Sequence, residues 1–342
     1  MANKHLALES PGKPLLAVSN LTVRLSSGAA AVDGVSFTLE RAECLALVGE
    51  SGCGKTLTAL SLLRAIPPEI GGANADSIDL DGAELACLDK KRLRELRGGR
   101  ISMIFQDPSA SLNPLFKVGN QIVETIRAHR QVTSRQARRQ AAAALAEAGL
   151  AETGRIIDSY PHQLSGGQRQ RAMIALALST EPEILIADEP TTALDVTVQR
   201  QIIGLLARLR RSRGLALLLI THNLSVVAQL ADRVLMMYAG HIVERAPASE
   251  LFVSRAHPYT RALFQCLPGL DSSRKEPATI PGTVPQPGSW PHGCRFRPRC
   301  EFTCSGCEGE QVLKPFAGSS DHQVRCWLAE ELAGQAALHK RD

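Results

Sequence analysis

The residues best equipped for chemistry are those of GESGCGKT at 49–56, a glycine-rich stretch closing on a lysine and a hydroxyl. The apolar run Cys44-Leu45-Ala46-Leu47-Val48 precedes it and reads as a buried strand; Lys55-Thr56-Leu57-Thr58-Ala59-Leu60 reads as the helix that follows. Strand, glycine turn and helix is the context in which such a stretch holds phosphate. Gly49, Gly52 and Gly54 let backbone N–H groups converge on phosphate oxygens, and the start of the helix adds positive potential. Lys55 is placed to reach the β- and γ-phosphates of a nucleoside triphosphate, and the Thr56 hydroxyl to ligate Mg²⁺. With Glu50, Ser51, Cys53 and Leu57 they form the expected nucleotide-binding stretch.

A second constellation is Ile184-Leu185-Ile186-Ala187-Asp188-Glu189, an apolar strand ending in two carboxylates. At the C-terminal end of a strand these face the same crevice as the phosphate loop. Asp188 suits Mg²⁺, directly or through water, and Glu189 is placed to polarise a water for in-line attack on the γ-phosphate. A third is Ser165-Gly166-Gly167, ahead of Gln168-Arg169-Gln170-Arg171, which reads as a helix start. A serine hydroxyl and free N–H groups there make either an ordinary cap or a second anion site.

Elements that must position these groups are legible in the patterning. Leu15-Leu16-Ala17-Val18, Leu21-Thr22-Val23 and Val35-Ser36-Phe37-Thr38-Leu39 alternate as strands, with turn signals at Ser26-Ser27-Gly28 and Asp33-Gly34. Residues 107–180 turn Ala-, Arg- and Gln-rich, and Arg135 to Gly149 reads as an amphipathic helix. Strand, helix and strand return over Ile184–Ala187, Val198–Arg211 and Leu215–Ile220, so a parallel sheet with helices on both faces is expected. Residues 268–291 hold six prolines and three glycines, an extended strap, and five of the nine cysteines crowd into the tail after it.

Composition narrows the class. The 342 residues, 44% hydrophobic, allow a large core and suggest two domains. No run of about 18 apolar residues occurs, and the opening MANKHLALESPGKP lacks a signal-peptide pattern, so a soluble intracellular protein is expected. A net charge of +5 fits solvated Arg-rich helix faces better than a nucleic-acid footprint, and no nucleic-acid partner is expected.

Taken together, the phosphate loop, Gln106 in Ile104-Phe105-Gln106-Asp107-Pro108, Leu164-Ser165-Gly166-Gly167-Gln168, Asp188-Glu189, Thr192-Ala193-Leu194-Asp195 and Thr221-His222 resemble an ABC-type ATPase over about residues 15–250. The resemblance implies an α/β fold: a P-loop NTPase core of mixed sheet and flanking helices, an antiparallel β subdomain, a helical subdomain (about 107–180) and a Pro/Cys-rich extension. It implies a tail at 1–14, a nucleotide-binding domain at 15–252 and an extension at 253–342. Two such subunits would sandwich two ATP molecules head to tail, each ATP on one subunit's phosphate loop and capped by Ser165, Gly166, Gly167 and Gln168 of the other. By the same resemblance Gln106 senses γ-phosphate and Mg²⁺ and couples to a membrane partner, Asp195 touches the opposing subunit, and His222 contacts γ-phosphate and holds the attacking water. One departure stands out: Leu21-Thr22-Val23-Arg24-Leu25 lacks the aromatic residue on which the family commonly stacks adenine, leaving Leu25 or Arg24 as substitutes.

Gln106 to Pro114, Thr192 to Gln199, His257-Pro258-Tyr259-Thr260-Arg261-Ala262-Leu263 and Ile280-Pro281-Gly282-Thr283-Val284-Pro285 narrow the likeness to ATP-binding subunits of dipeptide, oligopeptide and nickel importers. That implies a second, related ATPase subunit, two permease subunits and an extracytoplasmic solute-binding protein, with this chain peripheral on the cytoplasmic face of the inner membrane. Import of nickel or another small solute, or a non-transport role on ribosomes or DNA, are the competing functions. Cys294, Cys300, Cys307 and Cys326 are similar to the family's C-terminal cysteine pattern, which in some members carries an iron–sulfur cluster; thiolate ligation also suits Zn²⁺. Cys304 falls outside that set and could compete as a ligand.

Overall fold

The computed structural model describes residues 13–107, 111–192, 194–266 and 279–338. Pro108, Ser109, Ala110, Ala193 and most of the expected tail at 1–14 lie outside that range, as does part of the strap expected at 268–291. From 279 to 291 the chain runs without helix or strand.

The core is an eight-stranded sheet of order β12 (Lys314–Phe316), β13 (Ser319–Val324), β11 (His241–Pro247), β10, β3, β9, β8 and β7. Its centre is parallel: β10 (Arg233–Tyr238), β3 (Cys44–Val48), β9 (Ala216–Thr221), β8 (Ile184–Asp188) and β7 (Ile101–Ile104). β3, β8 and β9 are buried at every residue, as strands covered on both faces must be. Register then decides the site. Val48 pairs with Met236 and Thr221, Asp188 with Ile220, and Ile104 with Ala187. The strands therefore end along one edge, and whatever follows Val48, Ile104, Asp188 and Thr221 collects there.

A five-stranded antiparallel sheet packs on this core: β2 (Ala30–Leu39), β1 (Leu16–Leu25), β5 (Ser77–Leu80) and β6 (Ala83–Glu84), with β4 (Gly71–Asn74) also on β1. One continuous cluster, including Leu21, Val35, Leu47, Leu218 and Leu235, fills the space between the sheets. Two expectations need correction here. Leu16 to Leu25 is one strand rather than two, and Asp33-Gly34 is no turn but lies inside β2. Pairing of Leu21 with Val35 and Val23 with Val32 sets three steps of β2 against two of β1, a bulge that Gly34 accommodates at φ +63°.

Helices Val118–His129, Ser134–Glu147 and Gly166–Leu178 form a layer around Ile122, Ala141, Leu145 and Ile174. Thr133 starts the second with a capping box, its hydroxyl and Gln136 each serving the other's backbone.

The tail is stitched to the core sheet. Strand β11 (His241–Pro247) pairs antiparallel with β10 on one side and β13 (Ser319–Val324) on the other, and β12 (Lys314–Phe316) closes the edge. Nothing in the cysteine-rich composition announced these strands. Among the described residues no helix is long and apolar enough to cross a membrane.

Candidate active site

Between β3 and the helix Lys55–Leu62 the chain makes the loop read from sequence. Gly54 stands at the helix N-cap with φ +113°, and Gly52 at φ +80° faces open space, leaving the loop backbone uncovered where a ligand approaches. A Cβ on Gly49 would lie 2.1 Å from the Met237 carbonyl oxygen, so only glycine lets the loop start so close to β10. Lys55 is buried, and its ammonium donates to the carbonyls of Gly49 at 2.7 Å and Glu50 at 2.9 Å. Cys53 packs inward beneath it, its thiol pushed up by burial.

Thr56 donates its hydroxyl to Oδ2 of Asp188 at 2.8 Å, while Oδ1 of Asp188 is buried without a hydrogen-bond partner. Burial, with the neighbouring Glu189 charge, raises the Asp188 carboxyl above its ordinary value, against the Thr56 hydrogen bond and the Lys55 charge. A hydroxyl and an under-compensated carboxylate side by side are oxygen donors suited to Mg²⁺, and these residues fit that ion.

Glu189 follows β8 in a left-handed conformation, φ +49°, its N–H donating to Ile220 O at 2.8 Å. Such a backbone in a non-glycine residue is held by its surroundings at a cost of about 1–3 kcal/mol. The surroundings are visible: Thr192 donates to Oε2 at 2.7 Å and Nδ1 of His222 stands 2.7 Å from Oε1. Burial alone would raise the Glu189 carboxyl, but the hydrogen bonds from Thr192 and His222, with the charges of His222 and Lys55, hold it below its ordinary value. Glu189 is thus poised as an ionised acceptor, while His222 is mostly exposed.

Gln106 is exposed just beyond β7, on the same edge. Ser165 caps the helix Gly166–Leu178, its Oγ accepting from Gln168 N at 3.3 Å while Gln168 Oε1 accepts from Ser165 N at 3.1 Å. Gly166 meets nothing within 4 Å of a built Cβ, so this cap opens outward. Asp195 caps the next helix, Val196–Arg213, with Oδ1 accepting from Val198 N at 2.9 Å. Leu57 is half-buried on the first turn after the loop. Leu25 ends β1 half-buried, and Arg24 beside it donates to Gly28 O at 3.5 Å.

Three partners of the site were not foreseen. Thr192 and Tyr259 were each legible only as part of a motif, with no role attached. Tyr259, whose hydroxyl accepts from Glu50 N–H at 2.9 Å, and Arg299, bound to the Glu50 carboxylate, come from more than 200 residues downstream.

Cys294, Cys300, Cys307 and Cys326 line one small void of about 10 Å³ with Phe296 and Trp327. Burial pushes their thiols up, that of Cys300 to about 11 and that of Cys326 to about 12. Cys304 is not among the lining residues, and its Sγ sits 3.8 Å from that of Cys307. The donor chemistry suits a soft metal, but the arrangement is no finished ligand shell. Among the described residues no three His, Cys, Asp or Glu side chains gather closely enough to hold a metal ion.

Comparison with known proteins agrees with this geometry. Residues 32–192 match the model of the ABC transporter family, and residues 243–307 that of the oligopeptide/dipeptide transporter C-terminal region. Over 308 residues the chain is 46% identical to a "Putative peptide import ATP-binding protein" of Brucella abortus (strain 2308), covering 89% of this chain and 92% of that one. A protein of the same printed description from Brucella ovis is 43% identical over 315 residues, with 89% and 93% covered. Among solved structures, the dimeric bacterial ABC transporter cassette MJ0796 superposes with a TM-score of 0.60 at 26% identity, over 68% of this chain and 98% of that one. The same cassette is also known as a post-hydrolysis dimer bound to ADP and Pi. CbiO1 from Clostridium perfringens, part of the ABC transporter complex cbiONQ, gives 0.60 at 27% identity, over 71% and 92%. With a phosphate loop, two strand-end carboxylates and an outward-opening helix cap at Ser165 on one cassette fold, and with relatives matched over nine-tenths of its length, the chain belongs to the ATP-binding subunits of the ABC transporter family.

Proposed function

We propose that this chain is the ATP-hydrolysing subunit of an importer that moves di- or oligopeptides across the cytoplasmic membrane. The observation that carries the reading is the joining of two matched segments in one sheet: the phosphate-loop core, and a segment of the oligopeptide/dipeptide class whose β11 pairs with β10 of that core. The names of the relatives support peptides over nickel, and nothing favours a ribosomal or DNA role.

In this reading Gly49 to Thr56 cradle the triphosphate, Lys55 leaves its carbonyl partners for the β- and γ-phosphates, and Thr56 and Asp188 hold Mg²⁺. When bound, that ion neutralises charge on the phosphate oxygens. Glu189 orients a water and accepts its proton as the oxygen attacks the γ-phosphorus, in line with departing ADP. Gln106 senses the γ-phosphate, and His222 keeps Glu189 aligned. Ser165, Gly166, Gly167 and Gln168 cap the ATP of a neighbouring ATPase subunit that Asp195 also meets, with a related chain favoured over a second copy. Two permeases and an extracytoplasmic solute-binding protein complete the assembly, and this chain sits at the cytoplasmic face of the inner membrane. The division at 14/15 and 252/253, with a helical part at 107–180, belongs to the same proposal.

A thiolate-bound metal group at Cys294, Cys300, Cys307 and Cys326 forms only if those thiols draw together. Metal analysis of the purified protein tests this, and stoichiometric iron or zinc supports it; neither metal retires it. The transport reading is tested with the complete assembly in vesicles. Labelled dipeptide or oligopeptide should enter with ATP and fail to enter with Glu189→Gln. Uptake of a nickel chelate but of no peptide would overturn the choice of solute.

A further inference from the structure

The phosphate loop is held from the far end of the chain. Glu50, its second residue, meets Arg299 through a two-pronged contact, Nη1 to Oε1 at 2.9 Å and Nη2 to Oε2 at 3.0 Å. The Arg299 side chain is only 5% exposed. Its other N–H groups donate to Pro281 O at 2.8 Å, Tyr238 Oη at 3.3 Å and Ile280 O at 3.4 Å. A guanidinium has five N–H donors, and each has an acceptor here. Tyr259 Oη accepts the backbone N–H of the same Glu50, and the Tyr259, Tyr238 and Phe296 rings pack with centroids 4.8 to 5.5 Å apart. Both the backbone and the side chain of one loop residue are therefore tied to the tail.

Glu50 places a carboxylate beside the site for a polyanion, where like charges repel. Arg299 offsets that charge and, through its fork, fixes the direction of the carboxylate. We propose that Arg299, aided by Tyr259, is a positioning residue for the phosphate loop, so that ATP affinity depends on the docked tail. The proposal rests on reading residues 49–56 as the nucleotide loop.

The test measures Mg–ATP affinity by calorimetry on the full-length chain, at low and high salt, with melting curves as a check on folding. Arg299→Ala should weaken ATP binding about tenfold at low salt, and less at high salt, because the exposed carboxylate is then screened. Arg299→Lys should recover part of the loss, restoring charge without the fork. Glu50→Gln added to Arg299→Ala should recover most of it, since no stray charge remains; a purely mechanical brace predicts no such rescue. If Arg299→Ala does not fold, Tyr259→Phe carries the test, with weaker ATP binding expected in a chain that still unfolds cooperatively well above the assay temperature. Wild-type affinity in folded Arg299→Ala, or in Tyr259→Phe where Arg299→Ala does not fold, or a double variant as weak as Arg299→Ala, would overturn the proposal. A wild-type chain that binds no ATP overturns the loop reading along with it.

Discussion

Oε1 of Glu189 lies 2.7 Å from Nδ1 of His222, and Oε2 accepts the Thr192 hydroxyl at the same distance, so both carboxylate oxygens are oriented before a substrate arrives. An ionised carboxylate only accepts, which assigns a proton to Nδ1 of His222. The neutral ring then presents Nε2 as an acceptor; donating to a phosphate oxygen from Nε2 takes the doubly protonated ring. Glu189→Gln keeps the shape and loses the carboxylate proposed to act as base. Hydrolysis should fall by about 10²–10⁴-fold while ATP affinity stays near wild type, read by single-turnover phosphate release beside equilibrium binding. Normal turnover would remove Glu189 from the chemistry.

Two glycines separate fold from assembly. At Gly49 an added methyl meets the Met237 carbonyl oxygen at 2.1 Å, so Gly49→Ala should lower the melting temperature and abolish ATP binding together. At Gly166 the space is open and the position begins a helix, where an acidic side chain favours the helix by about 0.3–1 kcal/mol. Gly166→Asp should therefore melt no lower than wild type and bind ATP on its own loop. It should still fail to close on a partner's triphosphate. Light scattering of the full set of ATPase subunits with Mg–ATP checks this; nucleotide-driven association that survives the new charge contradicts the sandwich.

Legibility of the site followed sequence distance. Gly49 to Thr56, Asp188-Glu189 and the cap at Ser165 each sit within a few residues of the strand or helix that aims them, so the local pattern was enough. Tyr259 and Arg299 reach Glu50 across more than 200 residues, and a lone tyrosine or arginine carries no periodicity that says where it goes. Asp33-Gly34 signals a tight backbone, but turn and bulge share that composition, and only cross-strand register decides between them. Strand β12 went unread because it is only three residues at the sheet's edge, and β13 because Ser319-Ser320-Asp321-His322-Gln323 offers no apolar alternation to betray a strand, although it is paired on both sides. Spacing of the cysteines suggested a set, and the fold does turn four of them to one void. What holds them there depends on chemistry that spacing does not carry.

Lys55 is a buried ammonium whose two carbonyl contacts hold it in the loop. Replacing it with methionine keeps the packing and removes the only buried cation of the loop. Each charged hydrogen bond to phosphate is worth about 1.5–3 kcal/mol, so Lys55→Met should weaken ATP at least about tenfold while the melting curve shifts little. Nucleotide titration against thermal unfolding makes the comparison, and unaltered affinity would displace Lys55 from the phosphates.

Acid should loosen the seam between core and tail before it reaches the Glu189 carboxylate. His241 lines a cavity of about 430 Å³ with Asp33, Arg295 and Arg325, where burial, then the positive charges of Arg295 and Arg325, lower its imidazole to about 3. Asp33, held down by Arg295 despite its burial, stays ionised in that range. A depressed base binds its proton more readily in the unfolded chain. Its stabilising contribution is therefore complete above the unfolded value of about 6.5 and declines as the pH falls from there towards 3. The slope for one such group is about 1.4 kcal/mol per pH unit. His241→Gln cannot take up the proton, so its melting temperature should fall less steeply than that of wild type between pH 6.5 and 4.5. Parallel slopes for the two proteins would mean that His241 titrates alike folded and unfolded.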